Sequence, residues 1–167
     1  MGAPQPIGTA VVTVSDSSFR GEREDRSGPA VAAEAERWDL RVVARALVPD
    51  EPDVIRRTLL ELCGRPDVRL VFTTGGTGLS PRDHTPEATR ALLEKDVPGI
   101  VELMRWESFK STPRAALSRA VAGVRNGTLI INLPGSVKGA TECLQAVAAI
   151  LPHAVELIAG QKVQCGG

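Results

Sequence analysis

The sequence predicts an α/β fold of three layers, in which a mostly parallel open sheet carries helices on both faces. Short apolar segments rich in β-branched residues alternate with amphipathic helical patterns along the chain. Polar and glycine clusters follow the ends of these apolar segments, where the loops at one edge of a parallel sheet would lie. The alternation predicts crossover connections, and the clusters predict a ligand site at the carboxyl edge of the sheet.

Four segments are predicted as strands. Residues 10–14 (AVVTV), 70–74 (LVFTT) and 128–132 (TLIIN) are short, rich in β-branched residues and closed by polar residues or glycine, as buried strands are. Residues 41–48 (RVVARALV) form a weaker and more amphipathic candidate. Because each strand is followed by a helical pattern, the strands are expected to run parallel.

Helical patterns fill the segments between the strands. Ser27 can cap the first helix, and Glu51 or Asp53 can open the second, which ends at Gly64. Thr85, directly before a proline, is predicted to cap the third. The predicted helices cover residues 27–38, 53–64, 86–95, 99–108, 113–122, 137–150 and 152–159.

Length and composition limit the possible classes of protein. The 167 residues fit one domain, predicted over residues 9–160, with a flexible leader at 1–8 and a tail at 161–167. The 20 basic residues balance the 20 acidic ones, so the broad positive field that draws nucleic acid is absent. Three Phe, two Trp and no Tyr argue against a base-stacking surface. No stretch approaches the roughly 18 apolar residues that span a bilayer, so we expect neither nucleic acid nor a membrane as partner.

The cysteines indicate a reduced setting. Cys63, Cys143 and Cys165 are far apart in sequence, and no two of them have the C-x-x-C spacing of a metal or redox site. Residues 1–8 lack the positive start and apolar run of a signal peptide. We therefore expect a cytoplasmic location.

Four polar or glycine clusters follow the four predicted strands. They are Ser15-Asp16, Pro49-Asp50, residues 75–83 and Pro134-Gly135-Ser136. In open α/β sheets, ligands bind in the crevice outside the carboxyl ends of the strands. Four separate clusters therefore predict one shared pocket.

The glycine-rich loop that follows residues 70–74 is predicted to bind an anion. Gly75, Gly76 and Gly78 permit positive φ and close backbone approach, so the loop can turn its N–H groups toward a phosphate. The alternative is a tight turn between a strand and a helix. The pattern G-x-x-x-x-G-K-[ST] is absent, and Pro81 stands where a dinucleotide-binding loop has its third glycine. P-loop and dinucleotide chemistry are therefore disfavoured.

Two aspartates at predicted strand ends are candidates for catalysis and metal binding. Asp50 and Asp83 would repel a phosphate unless a cation lay between them, and Mg²⁺ held by one or two carboxylates is the usual solution. The alternatives are that Asp50 caps the helix that begins near Pro52 and that Asp83 pairs with Arg82 on the surface. Together, the two carboxylates favour a functional site.

Two histidines and three serines lack the motifs of catalytic residues. His84 and His153 lack metal-ligand spacing and are predicted to be surface or hydrogen-bonded histidines. Ser15, Ser118 and Ser136 occur in no G-x-S-x-G motif, so acyl transfer is disfavoured and they are expected to be hydrogen-bonding ligands or helix caps.

Several motifs resemble those of the molybdopterin adenylyltransferases, which include the bacterial Mog and MoaB proteins, a plant enzyme's G domain and the G domain of gephyrin. The similarity extends over about residues 9–160. The motifs are TTGGTGLSPRDHTPEAT (73–89), VPDE (48–51), VSDS (14–17), DRSGP (25–29), LSR (117–119) and IINLPGS (130–136).

The resemblance implies a MogA/MoaB-like fold and the transfer of AMP from ATP to the terminal phosphate of molybdopterin, with Mg²⁺. It implies that Asp50 and Asp83 are the catalytic and metal-binding residues. It also implies a homotrimer and a molybdenum-insertion protein as a further partner. The implied substrate-binding residues are Ser15, Asp16, Thr74, Gly75, Gly76, Thr77, Gly78, Pro81, Arg82, Ser118, Arg119, Asn132, Pro134, Gly135 and Ser136.

The sequence allows alternative roles for three cationic side chains and for the protein as a whole. Arg82, Arg119 and Lys138 are candidates for binding the leaving pyrophosphate, or they are solvated surface charges. His84 stands where related sequences usually carry Val, which puts a titratable group next to Asp83. Two alternative functions are a non-catalytic protein that binds pterin or nucleotide and a scaffold module.

Overall fold

The computed structural model describes residues 6–160. Most of the predicted leader, the tail at 161–167 and Cys165 lie outside this range. One six-stranded sheet joins the strands in the order β2-β1-β3-β6-β5-β4. The strands are β1 Ile7–Val14, β2 Leu40–Val48, β3 Leu70–Thr74, β4 Lys95–Asp96, β5 Ala122–Arg125 and β6 Thr128–Leu133.

Seven α-helices connect or follow the strands in the described part of the chain. A 3₁₀ helix also covers Pro113–Leu117. The α-helices are α1 Asp16–Phe19, α2 Ser27–Arg37, α3 Pro52–Cys63, α4 Thr85–Arg90, α5 Pro98–Phe109, α6 Val137–Ala148 and α7 Leu151–Ile158.

The sheet is mostly parallel and lies between two helical layers, which confirms the predicted fold class. Strands β2, β1, β3 and β6 pair in parallel, and only β5 and β4 run antiparallel to their neighbours. Side chains alternate across the sheet: Phe72 belongs to the core cluster that includes residues of α2, α5, α6 and α7, whereas the preceding Val71 belongs to the cluster that includes residues of α3 and α4. The parallel strands therefore end at one common edge.

The predicted helix at 113–122 is wrong. Only the 3₁₀ turn forms there, and Ala122 begins β5, which pairs with β6 as a hairpin. Asn126 and Gly127 make the turn between them with φ of 48° and 73°. An Asn-Gly pair supplies the positive φ that a two-residue hairpin needs, so this pair was the overlooked signal.

Three further helix assignments also differ from the prediction. Ser27 is the first residue of α2, and Arg26 occupies its cap position without a side-chain capping bond. Helix α4 ends at Arg90, and Lys95–Asp96 forms the edge strand β4 against β5. Thr85 is the first residue of α4, and His84 occupies the cap position without a side-chain capping bond. The short helix α1 was not predicted. Ser15 caps it by accepting a hydrogen bond from the Ser18 N–H at 3.2 Å.

A helix that spans a membrane needs roughly 20 predominantly apolar residues. Within residues 6–160, no single helix is long and apolar enough to cross a membrane. Helices α6 and α7 reach that length and apolar content only in combination, and they are bent by 65° relative to each other.

Candidate functional site

The carboxyl edge of the sheet carries two adjoining cavities. The first, of about 780 Å³, is lined mainly by polar and charged residues from β1, from the segment that precedes α2 and from the glycine loop; we call it the polar pocket. The second, of about 450 Å³, lies against α5 and the 3₁₀ turn and has a largely apolar wall; we call it the apolar pocket. The residues common to both are Gly76, Asp83, Gly135 and Ser136.

Two glycines of the loop cannot be replaced without strain. Gly75 and Gly76 have φ of 104° and 67°, in the region that side chains rarely adopt. A Cβ added at Gly75 would lie 2.2 Å from the carbonyl oxygen of Val14, and one at Gly76 would lie 2.3 Å from Thr85 Oγ1. The loop is therefore pressed between the end of β1 and the start of α4.

Arg119 holds the far side of this loop. Its side chain donates hydrogen bonds to the carbonyl oxygens of Gly78 at 2.7 Å and Asp83 at 2.8 Å, and it also pairs with Glu87. Its backbone N–H donates to the Thr77 carbonyl at 3.0 Å. Because these contacts occupy the guanidinium, Arg119 shapes the loop, and it lines neither pocket.

Asp50 and Asp16 form reciprocal hydrogen bonds. The Asp16 N–H donates to Asp50 Oδ2 at 2.7 Å, and the Asp50 N–H donates to Asp16 Oδ1 at 3.0 Å. Burial raises the pKa of Asp50, and the charges of Asp16 and Asp83 raise it further against the opposing effect of the Asp16 N–H. Asp50 does not cap α3, whose cap position belongs to Glu51.

Asp83 faces the same polar pocket and does not pair with Arg82. Its Oδ2 accepts the Ser80 N–H at 2.9 Å. Arg82 instead donates to both carboxylate oxygens of Asp16, at 3.0 and 3.1 Å, and to Glu51 at 2.8 Å. These bonds hold the pKa of Asp16 below its usual range. Neither the helix cap predicted as the alternative for Asp50 nor the pairing of Asp83 with Arg82 occurs in the structure.

Two carboxylate oxygens in the polar pocket fit a hard cation. Asp50 Oδ1 and Asp83 Oδ1 accept no hydrogen bond from any residue within 6–160. The same range contains no cluster of three or more His, Cys, Asp or Glu side chains arranged for a metal. Mg²⁺ is commonly held by only one or two carboxylates together with substrate phosphates, so this pair of donors suits that ion.

Most of the predicted site residues meet at the two pockets. Thr74 is fully buried below the loop, where its hydroxyl donates to the Pro134 carbonyl at 2.8 Å. Ser136 caps α6 by accepting the Gly139 N–H at 3.1 Å. The predicted residues that line one or both pockets are Ser15, Asp50, Thr74, Gly75, Gly76, Thr77, Gly78, Asp83, Ser118, Pro134, Gly135 and Ser136.

Five predicted residues do not line either pocket: Asp16, Pro81, Arg82, Arg119 and Asn132. Asn132 lies inside the protein with no exposed surface. Its amide nitrogen donates to the hydroxyls of Thr73 at 2.9 Å and Thr89 at 3.0 Å, and its Oδ1 accepts the Val121 N–H at 3.2 Å. It therefore joins β6 to β3, α4 and the start of β5.

Sequence reasoning missed part of both pocket walls. Arg23 lines the polar pocket with the DRSGP segment, and within the described residues no carboxylate lies at ion-pair distance from it. Val101 and Met104 of α5 line the apolar pocket. Their spacing is that of ordinary core residues, and Arg23 belongs to no motif, so no sequence signal marked them.

The predicted histidines take no part in either pocket. His84 lies at the start of α4 beside Asp83, and His153 is exposed on α7. Neither residue contributes to the pocket walls.

The fold and the two pockets define a class of α/β proteins whose ligand cleft lies at the carboxyl edge of an open sheet. Comparison with known families makes the assignment specific. The family described as "Probable molybdopterin binding domain" matches residues 10–153, and this chain belongs to that family.

Individual relatives agree with this assignment. The molybdopterin adenylyltransferase of Helicobacter pylori (strain J99) is 44% identical over 162 residues, which cover 96% of this chain and 92% of that protein. The molybdenum cofactor synthesis protein cinnamon of Drosophila melanogaster is 45% identical over 155 residues, or 92% of this chain, but this chain spans only 26% of cinnamon.

A solved structure extends the comparison to three dimensions. The crystal structure of the molybdopterin biosynthesis enzyme MoaB from Thermus thermophilus has 52% sequence identity and a TM-score of 0.87, and the alignment covers 93% of this chain and 98% of that one. The resemblance inferred from the motifs is thus confirmed.

Proposed function

We propose that this chain is a molybdopterin adenylyltransferase, which transfers AMP from ATP to the terminal phosphate of molybdopterin. The observation that carries the proposal is the junction of the two pockets at the glycine loop. Asp50 lies against Gly76 in the polar pocket, and Asp83, which lies against Gly78, lines both pockets. The Helicobacter pylori relative that bears this activity in its name matches nearly the whole chain.

The two pockets differ in polarity, which supports separate binding sites for the nucleotide and for the pterin. The polar pocket contains the glycine loop and hydroxyl groups such as those of Ser15 and Ser136, which suit the phosphates of the nucleotide. The apolar pocket offers Val101, Met104 and Leu117 to a flat ring system. The reacting phosphates meet at the wall between them.

Asp50 and Asp83 would hold Mg²⁺ in this proposal. When bound, the ion would supply charge neutralisation at the phosphates. The attacking phosphate of molybdopterin is already ionised at neutral pH, so the reaction requires alignment and charge neutralisation rather than a general base. A site without a histidine in its walls is consistent with this chemistry.

The leaving pyrophosphate needs a cation, and Arg23 fits this role better than the three candidates named from sequence. Arg82 is paired with Asp16 and Glu51, and Arg119 is occupied by the loop. Lys138 lies 3.8 Å from Glu142 and is largely exposed. Arg23 lines the polar pocket, and none of the ion pairs among the described residues engages it.

The test is a transfer assay. Purified protein is incubated with molybdopterin, ATP and Mg²⁺, and AMP-modified pterin is detected by mass spectrometry. We expect Asp83→Asn to lower turnover by about 100-fold or more, because the cation loses a charged ligand where charge develops, while ligand binding is retained. Asp53→Asn, an exposed carboxylate of α3, is the matched control and should leave turnover unchanged.

The assay separates the alternatives. Binding of pterin without product in the wild-type protein would establish a non-catalytic binding protein. Normal turnover in both Asp50→Asn and Asp83→Asn would contradict the proposed cation site.

Assembly, partners and location complete the proposal. We carry over from the family a homotrimer and an interaction with a molybdenum-insertion protein. A cytoplasmic location is supported by Cys63 and Cys143, which are both buried free thiols in the structure.

A further inference from the structure

Thr85 has a hydroxyl that the fold leaves without a partner. Its side chain is fully buried, and within residues 6–160 its Oγ1 is the one buried side-chain polar atom that makes no hydrogen bond. Capping does not explain it, because His84 occupies the cap position of α4. Since a buried, unpaired hydroxyl destabilises a fold, its presence at the site requires a reason.

The hydroxyl faces the glycine loop at the same point as Asp50. A Cβ added at Gly76 would lie 2.3 Å from Thr85 Oγ1 and 3.2 Å from Asp50 Oδ1. The Thr85 N–H donates to the Gly76 carbonyl at 3.1 Å, which fixes Thr85 against the loop.

Asp50 contributes a matching unpaired acceptor. Its Oδ2 is occupied by the Asp16 N–H, whereas Oδ1 accepts no hydrogen bond from any residue that the structure describes. An unpaired donor and an unpaired acceptor thus flank the same glycine without contacting each other. A displacement of the carboxylate toward the loop would bring the two groups together.

We propose that Thr85 is a positioning residue for Asp50, whose Oδ1 accepts a hydrogen bond from the Thr85 hydroxyl when nucleotide and cation occupy the cleft. This inference rests on the proposed function. Carboxylates that ligate a metal are themselves held by hydrogen bonds from surrounding groups, and a carboxylate oxygen can accept a second contact beside the cation. Thr85 supplies such a bond from behind the loop.

This role predicts opposite effects on the free and the liganded protein. In Thr85→Val a methyl group replaces the hydroxyl at nearly constant volume. Because no hydrogen bond is lost in the free protein, its Tm should equal or exceed that of the wild type. The liganded protein loses a charge-assisted hydrogen bond, so its affinity should fall. A purely structural hydroxyl would give the reverse pattern.

The experiment compares wild type, Thr85→Val and Thr85→Ser. Thermal unfolding is followed without ligand, and the Kd of ATP with Mg²⁺ is measured by calorimetry. We expect Thr85→Val to weaken ATP binding about ten-fold or more and Thr85→Ser, which keeps the hydroxyl, to stay within about two-fold of the wild type. Unchanged affinity in Thr85→Val, or a lowered Tm without ligand, would overturn the inference.

A double-mutant cycle tests whether Asp50 is the acceptor. In an Asp50→Ala background, Thr85→Val should cause no further loss of ATP affinity, because the acceptor is gone. A loss as large as that in the wild-type background would assign the hydroxyl to another acceptor and refute the proposal. Failure of the wild-type protein to bind ATP would instead refute the proposed function, and this inference with it.

Discussion

Gly76 is constrained in two ways, by a positive φ and by contact with the buried Thr85 side chain. Gly21 has only the first constraint, so a comparison of the two glycines separates their effects. Gly21 has a similar φ of 75° but nothing within 4 Å of an added Cβ. We expect Gly21→Ala to lower the free energy of unfolding by about 1–2 kcal/mol through backbone strain alone. Gly76→Ala adds a clash with Thr85 and should cost roughly 3 kcal/mol or more.

Urea denaturation of the two alanine variants measures this difference. Equal costs for Gly21→Ala and Gly76→Ala would show that the loop yields to the added methyl group. The calorimetric affinity for ATP should also fall in Gly76→Ala, because the loop would shift in the polar pocket.

At the residue scale, the sequence indicated site residues wherever a motif and a strand end coincided. Asp50, Asp83 and the glycines satisfied both conditions, and all of them line the pockets. Asn132 satisfied both as well, yet its amide is used inside the protein. Position along a strand could not reveal this, because alternate side chains point to opposite faces and the partners come from distant parts of the chain.

At the scale of secondary-structure elements, the Asn132 side chain holds β6 against β3 and α4. In Asn132→Ala, the buried hydroxyls of Thr73 and Thr89 and the Val121 N–H would lose their partner. Each group left unpaired costs about 1–3 kcal/mol, so we expect a total loss of about 3 kcal/mol or more. The midpoint of urea denaturation measures it.

The partly buried Thr141 provides the control for this prediction. Its hydroxyl makes only exposed hydrogen bonds to carbonyl oxygens of its own helix, so Thr141→Ala should change the free energy of unfolding by less than about 0.5 kcal/mol. A similarly small effect of Asn132→Ala would contradict the structural role assigned to that amide.

Most elements were predictable from local patterns, and the two missed strands have different causes. The buried parallel strands were identified because runs of β-branched residues are unambiguous there. Strand β5 was missed because the Asn-Gly turn signal that precedes β6 was overlooked. Edge strand β4 was missed because Lys95–Asp96 is two residues long and becomes a strand only through pairing with its neighbour. Pairing of this kind is a tertiary property that no local window contains.

The distribution of aromatic side chains concerns the whole molecule. Phe72 is fully buried, but the other four, Phe19, Trp38, Trp106 and Phe109, are 41–67% exposed. Trp106 and Phe109 lie three positions apart on α5 and so share one face. Aromatic residues are enriched at protein interfaces, which supports the proposed homotrimer.

Light scattering tests this assembly. We expect a mass of three times the 17.7 kDa chain, and a smaller mass for a variant with Trp106→Ser and Phe109→Ser, because the apolar contact is removed. Phe19→Ser, at a comparably exposed aromatic on α1, is the control. A wild-type mass of one chain would exclude the trimer, and an unchanged mass in the double variant would exclude this face of α5 as the contact.

In the reciprocal bonds between Asp16 and Asp50, the carboxylate of each residue protects the backbone amide proton of the other from exchange with solvent. Exchange of these two protons with deuterated solvent therefore depends on side chains rather than on a sheet ladder. If a ligand turns the Asp50 carboxylate away, the Asp16 amide is released first, while the Asp50 amide stays protected as long as Asp16 remains paired with Arg82. The exchange rates of the two amide protons thus distinguish reorientation of the Asp50 carboxylate from opening of the whole carboxyl edge of the sheet.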